Sequence, residues 1–144
     1  MNSQSGSQWD GLRHFGHLGA KKLYNNLDPA EVLSSTRCGI QAIAQHGIAG
    51  RGVLLDHYGW ARRHGHPYDP VSGYSIPVAE LKEVAREQGV AFRPGDILLI
   101  RSGYISRYHE LEKENPAKLE ELVESPCFAG VEQSEEMKTF LHDS

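Results

Sequence analysis

Two short apolar runs limit what this chain can fold into more than any other feature. Gly52-Val53-Leu54-Leu55-Asp56 and Ile97-Leu98-Leu99-Ile100 are too short for buried helices and are bounded by glycine or proline turns. Each predicts a buried strand. Between them, Pro77 opens and Gly89 closes an amphipathic helix whose inner stripe is Val78, Leu81, Val84 and Ala85. Strand and helix alternate, which is the pattern of an α/β protein. Two apolar strands are few for a sheet covered on both faces, so the expectation is an incomplete α/β domain.

The flanking segments add elements of the same kind. Asp28-Pro29-Ala30-Glu31 carries a capping box with proline at the first helical position, so a short helix is expected there. Ile40, Ile43, Ala44 and Ile48 recur at near-helical spacing, with Gly47 placed to end that helix. Gly65 to Ser75, with Pro67, Pro70 and Gly73, predicts a loop, as does the segment after Arg101-Ser102-Gly103-Tyr104. Asn115-Pro116 opens a helix with Leu119, Leu122 and Val123 inward. Ser134-Glu135-Glu136 opens the last, with Met137, Phe140 and Leu141 inward and acidic residues suiting the dipole of its first turn. Pro94-Gly95-Asp96 predicts a turn before the second strand.

With 144 residues, a single domain is the expectation. The net charge of −4 and the scattered Lys and Arg argue against a nucleic-acid or anionic-membrane partner. No apolar run has spanning length and no leader pattern is present, so a cytoplasmic protein is expected. Cys38 and Cys127 lack metal or redox spacing and read as buried free thiols.

Chemistry concentrates in Gln4 to His17, a segment without helical period that reads as loop or short strand. It places Asp10, His14 and His17 close to Gln8. A carboxylate and imidazoles can bind a divalent metal, and one imidazole can shuttle protons near neutral pH. His residues on a polar loop are more often solvent-facing, so spacing alone leaves both readings open. Asp56 at a strand end is either a functional group or a cap of the next segment. His57, Tyr58 and Trp60 either line an aromatic pocket or simply pack under a loop.

These residues resemble the putative-cyclase family of metal-dependent α/β hydrolases, which includes the kynurenine formamidases, and in particular a fungal-type branch. The family carries H-x-G-T-H-x-D-x-P-x-H, in which the first two histidines and the aspartate bind metal and the last histidine is catalytic. Here Gly6-Ser7 matches Gly-Thr, Asp10 matches the metal aspartate and His14 the final histidine. Gln4 and Gln8 stand where the family has its metal histidines, and Leu12 replaces the proline. The run Gly50 to Asp56 is similar to the family's strand after its first helix. Pro77 to Tyr104 is similar to its helix, Gly-Asp turn and strand ending Arg-Thr-Gly-aromatic.

The resemblance implies a cyclase-like fold of the swivelling β/β/α type, a mixed sheet with flanking helices, incomplete in this chain. It implies metal-assisted hydrolysis of an arylformamide-like C–N bond or a lactone, with a place in tryptophan catabolism among the family's chemistries. His14 would be catalytic, and Asp10, Gln8 and Gln4 would hold zinc or manganese. The candidate contacts to a small-molecule substrate come from the residues themselves: Arg101 and Tyr104 at the exit of the second strand, able to orient a carboxylate or carbonyl, with Tyr58 and Trp9 as aromatic walls. A Gln amide oxygen is a poorer metal ligand than imidazole. A further family His and acidic ligand would lie beyond Ser144, and an opening strand before Met1, so a fragment is expected. The alternatives are an inactive member of the family or a metal-independent cyclase or dehydratase using His14 and Asp10. Homo-oligomers are common in the family.

Overall fold

The structure, a computed structural model, describes residues 8–143. Its contacts group into two compact units, Met1–Ala49 and Gly50–Ser144.

The first unit is built from turns. Asp28 caps as its sequence predicts: its carboxylate accepts from the Ala30 amide at 2.9 Å, and Glu31 Oε1 accepts from the Asp28 amide at 3.4 Å. The box opens the expected short helix, a single 3-10 turn at Pro29–Glu31. Helix α1, Gln41–His46, ends at Gly47, where φ is +72°. Leu27 is fully buried. Arg13 ties the candidate loop to the rest of the unit, its guanidinium donating to the Val32 and Ser35 carbonyls and its amide to the Cys38 carbonyl.

The second unit holds the strands. In chain order it runs β1 (Gly52–Leu55), α2 (His57–Arg63), β2 (Ser75–Ile76), α3 (Val78–Glu87), β3 (Ile97–Ile100), α4 (Tyr104–Glu114), α5 (Pro116–Glu124), β4 (Gly130–Val131) and α6 (Glu135–Asp143). β1 pairs with β3 in parallel, from Gly52 opposite Ile97 to Leu55 opposite Ile100. β2 pairs with β4, also in parallel. A parallel pair needs a crossover, and the α3 segment supplies it between β1 and β3. The α/β class is as expected.

The predicted stripe of α3 is the centre of the core: Val78, Leu81, Val84 and Ala85 pack with Leu55, Ile76 and Met137. A smaller cluster of Val71, Leu111 and Leu122 lies under α4 and α5.

Several expectations are corrected. The segment after Tyr104 is helix α4 rather than a loop; its apolar residues are too sparse to have marked it, and Leu111 alone of them is buried. Two-residue strands β2 and β4 went unread because they are too short to show a period. Val123 is 81% exposed and Leu141 48% exposed, so α5 bears inward on Leu119 and Leu122, and α6 on Met137 and Phe140. Neither apolar strand is buried on both faces: Leu54 and Leu99 sit opposite each other and are half exposed. Cys127 is exposed and Cys38 partly so, rather than buried. Among the described residues no helix is long and apolar enough to cross a membrane.

Candidate functional site

The loop of the first unit brings three of its predicted residues together. The His14 amide donates to the Gly11 carbonyl at 2.9 Å, closing a turn. A side chain at Gly11 would collide with backbone, its Cβ 2.6 Å from the Ile40 nitrogen, so the turn lies directly against residues 39 and 40. The turn carries His14 back over Asp10, with Nδ1 3.8 Å from Asp10 Oδ1. That is an ion-pair distance and too long for a hydrogen bond. Gln8 Nε2 donates to the same Oδ1 at 3.1 Å. All three side chains are exposed, as is Trp9. His17 is occupied elsewhere, its Nδ1 accepting from the Ala20 amide at 3.0 Å. Gln4 lies outside the described residues.

Asp10 is the one strong ligand here for a divalent metal, and Gln8 turns an amide hydrogen, not an oxygen, toward Asp10. Among the described residues no three His, Cys, Asp or Glu side chains gather as a metal-holding group. These residues alone do not fit zinc or manganese, which take three or more nitrogen, sulfur or oxygen donors from the protein.

The remaining candidates belong to the second unit, at the C-terminal ends of β1 and β3. Asp56 is the cap of α2, accepting from the Gly59 amide at 2.9 Å, and it also takes Arg101 Nη1 at 2.8 Å. Partial burial pushes its carboxyl up, but the Arg101 and Gly59 hydrogen bonds outweigh that and leave it below the usual carboxylate range. Arg101 also lies 5.4 Å from the centre of the Tyr58 ring and donates to Ser106 Oγ. Tyr58 is buried, with Arg62 5.6 Å from its ring and the Gly103 backbone pressed against it. A cavity of about 360 Å³ lined by Ile100 to Ser106 holds both Arg101 and Tyr104. Tyr104 packs edge-on to Phe128 at 5.1 Å.

The same end of the unit contains a polar cluster around His57, a candidate pocket residue whose partners Tyr68, Tyr74 and Glu80 sequence reasoning passed over. His57 is fully buried. Its Nε2 lies 2.6 Å from Glu80 Oε2, and its Nδ1 lies 3.0 Å from the Tyr68 hydroxyl. Tyr68 donates to the Ser102 carbonyl at 3.2 Å, and Tyr74 donates to the Glu80 carboxylate at 3.1 Å. The Tyr68 and Tyr74 rings stack at 4.2 Å. Burial, reinforced by Tyr74 and other neighbours, raises the Tyr68 hydroxyl well above the ordinary phenol value. Burial and then Glu80 also raise the Tyr74 hydroxyl. Both remain neutral hydrogen-bond donors. The available signal was the pair of tyrosines within an otherwise turn-like loop, together with His57 directly after the strand-end aspartate.

The described residues thus define an α/β protein with parallel strand pairs, charged and aromatic side chains at strand ends, and an Asp–His turn on a loop of the first unit. The chain matches the family described as "Putative cyclase" over residues 1–143, and it belongs to that family. It is similar to a solved structure described as the crystal structure of a novel cyclase, at 28% identity and a TM-score of 0.71. The match covers 94% of this chain and 42% of the other, so the chain spans about two fifths of that relative's length. No curated protein matches it.

Proposed function

We propose that this chain supplies acid–base machinery for hydrolysis of a C–N bond of the arylformamide type, or of a lactone. The observation that carries this reading is the approach of Asp10 to His14 Nδ1 at 3.8 Å on a turn that leaves both side chains open to solvent. His14 removes a proton from water, with the Asp10 carboxylate facing its ring on the same turn. The water oxygen then bonds to the substrate carbonyl carbon. As the tetrahedral intermediate collapses, the C–N or C–O bond breaks and His14 returns its proton to the leaving nitrogen or oxygen. Because both groups are exposed, water screens the pair, and its effect is modest until substrate covers it.

Within the second unit, the Arg101 cavity is proposed to receive a carbonyl or carboxylate of a small-molecule substrate, with Tyr104 beside it. Tyr58 backs the Arg101 guanidinium in the second unit. In the first unit, exposed Trp9 beside Asp10 is a separate candidate for substrate contact. Zinc or manganese would be held in part by Asp10 and would supply Lewis-acid chemistry when bound. The sparse donor set favours a second reading, a metal-independent cyclase or dehydratase, or an inactive member of the family.

Metal analysis of the purified protein tests the assignment of Asp10. Stoichiometric zinc or manganese that is lost in Asp10→Asn supports a metal hydrolase. Activity that needs His14 in metal-free protein supports the second reading. Neither metal nor activity leaves the inactive member.

A further inference from the structure

The buried cluster around His57 offers one hydroxyl hydrogen to two acceptors. The Tyr68 hydroxyl lies 3.2 Å from the Ser102 carbonyl, which can only accept, and 3.0 Å from His57 Nδ1. When Tyr68 gives its hydrogen to Ser102, Nδ1 must carry a proton and donate to the hydroxyl. On the other side, Nε2 and Glu80 Oε2 stand 2.6 Å apart and need one proton between them. Glu80 already accepts from Tyr74. In that arrangement the His57–Glu80 pair holds two protons, whether the shared one sits on nitrogen or oxygen. That is one more than a neutral imidazole beside an ionised carboxylate.

Removing that extra proton has a defined structural effect. The remaining proton stays between Nε2 and Glu80, because an ionised carboxylate facing a bare nitrogen lone pair is repulsive. Nδ1 then becomes an acceptor, and the nearest donor is Tyr68. Its hydroxyl turns to His57 and leaves the Ser102 carbonyl without it. Ser102 and Gly103 form part of the wall of the Arg101 cavity.

We propose that His57 is a positioning residue for that cavity: with two protons on the His57–Glu80 pair, Tyr68 holds the Ser102–Gly103 turn, and with one proton it lets the turn go. Gly103 is where the release is felt, because its backbone rests on the Tyr58 ring and has φ of +87°. The groups facing the imidazole are Glu80 from α3, Tyr68 and Tyr74 from the loop before it, and the Trp60 ring from α2. Asp56 is held by Arg101 next to this cluster, and Glu87 of α3 is taken by Arg63 and His64 at the far end of α2. Tyr68 can carry the signal because burial keeps its phenol protonated.

The device is independent of which reaction the protein performs, and so is its test. Isotope-labelled protein without substrate is titrated by NMR, following the His57 ring nitrogens and the Ser102 carbonyl carbon. The expected result is a Ser102 carbonyl shift with the same midpoint as the His57 ring. In Tyr68→Phe the Ser102 shift is lost while His57 still titrates. A Ser102 signal that ignores His57 in the wild type overturns the proposal, whether or not the variant folds. So does an unchanged Ser102 response in Tyr68→Phe, or a His57 that keeps one protonation state throughout the folded pH range.

Discussion

At the scale of single residues, Gly103 is the most constrained position near the candidate cavity. Its left-handed φ disfavours any side chain, and a Cβ would meet the Tyr58 ring carbons at 2.5 Å. Gly103→Ala is expected to cost about 1–3 kcal/mol through overpacking and backbone strain, measured by urea denaturation. Asp56 makes a different kind of contribution. Its carboxyl is held below the usual range in the folded state, so the stability it adds is complete above its unfolded pKa of about 4 and is lost as pH falls through the lower folded value. Asp56→Asn keeps a good capping side chain but cannot titrate. In that variant the loss of stability on acidification below about pH 4 should be shallower than in the wild type. Asp56→Ala removes the cap as well and should cost about 1 kcal/mol at neutral pH.

At the scale of elements, what the sequence revealed depended on how far each pattern repeats. The stripe Val78-Leu81-Val84-Ala85 covers two turns, and the structure buries all four residues. The box at Asp28 and Glu31 is a local hydrogen-bond pattern and forms as read. α4 was invisible because it is held by its C-terminal leucine and by ion pairs of Arg107 with Asp69 and Glu110, not by an apolar stripe. The apolar runs gave the strands correctly but not their burial, since Leu54 and Leu99 point away from α3. The candidate residues of the loop were legible through Asp10 and His14, four residues apart. The His57 cluster was not, because Tyr68, Tyr74 and Glu80 meet only after α2 and α3 have packed. Changing the exposed Leu54 and Leu99 together to Thr should reduce aggregation of the isolated chain, read by light scattering, without lowering its denaturation midpoint. Neither leucine is among the buried core residues.

For the whole molecule, the described strands form two separate two-stranded sheets. Such pairs are marginal alone and expose unpaired backbone edges. Phe15, Leu18, Leu54 and Leu99 add exposed apolar surface. The isolated chain is therefore expected to melt broadly, with a midpoint below the roughly 45–65 °C of ordinary mesophile domains. Circular dichroism checks this, and a sharp reversible transition of a soluble monomer above that range would count against it. Membership of the cyclase family rests on residues 1–143 and does not depend on that outcome.

The most direct measurement of the central claim is hydrolysis of arylformamides and lactones by the purified protein, compared with its His14→Ala variant. If His14 is the general base beside Asp10, the variant should lose about 10²- to 10⁴-fold in kcat and keep its far-UV spectrum. Hydrolysis that persists unchanged in a folded His14→Ala protein would contradict the account.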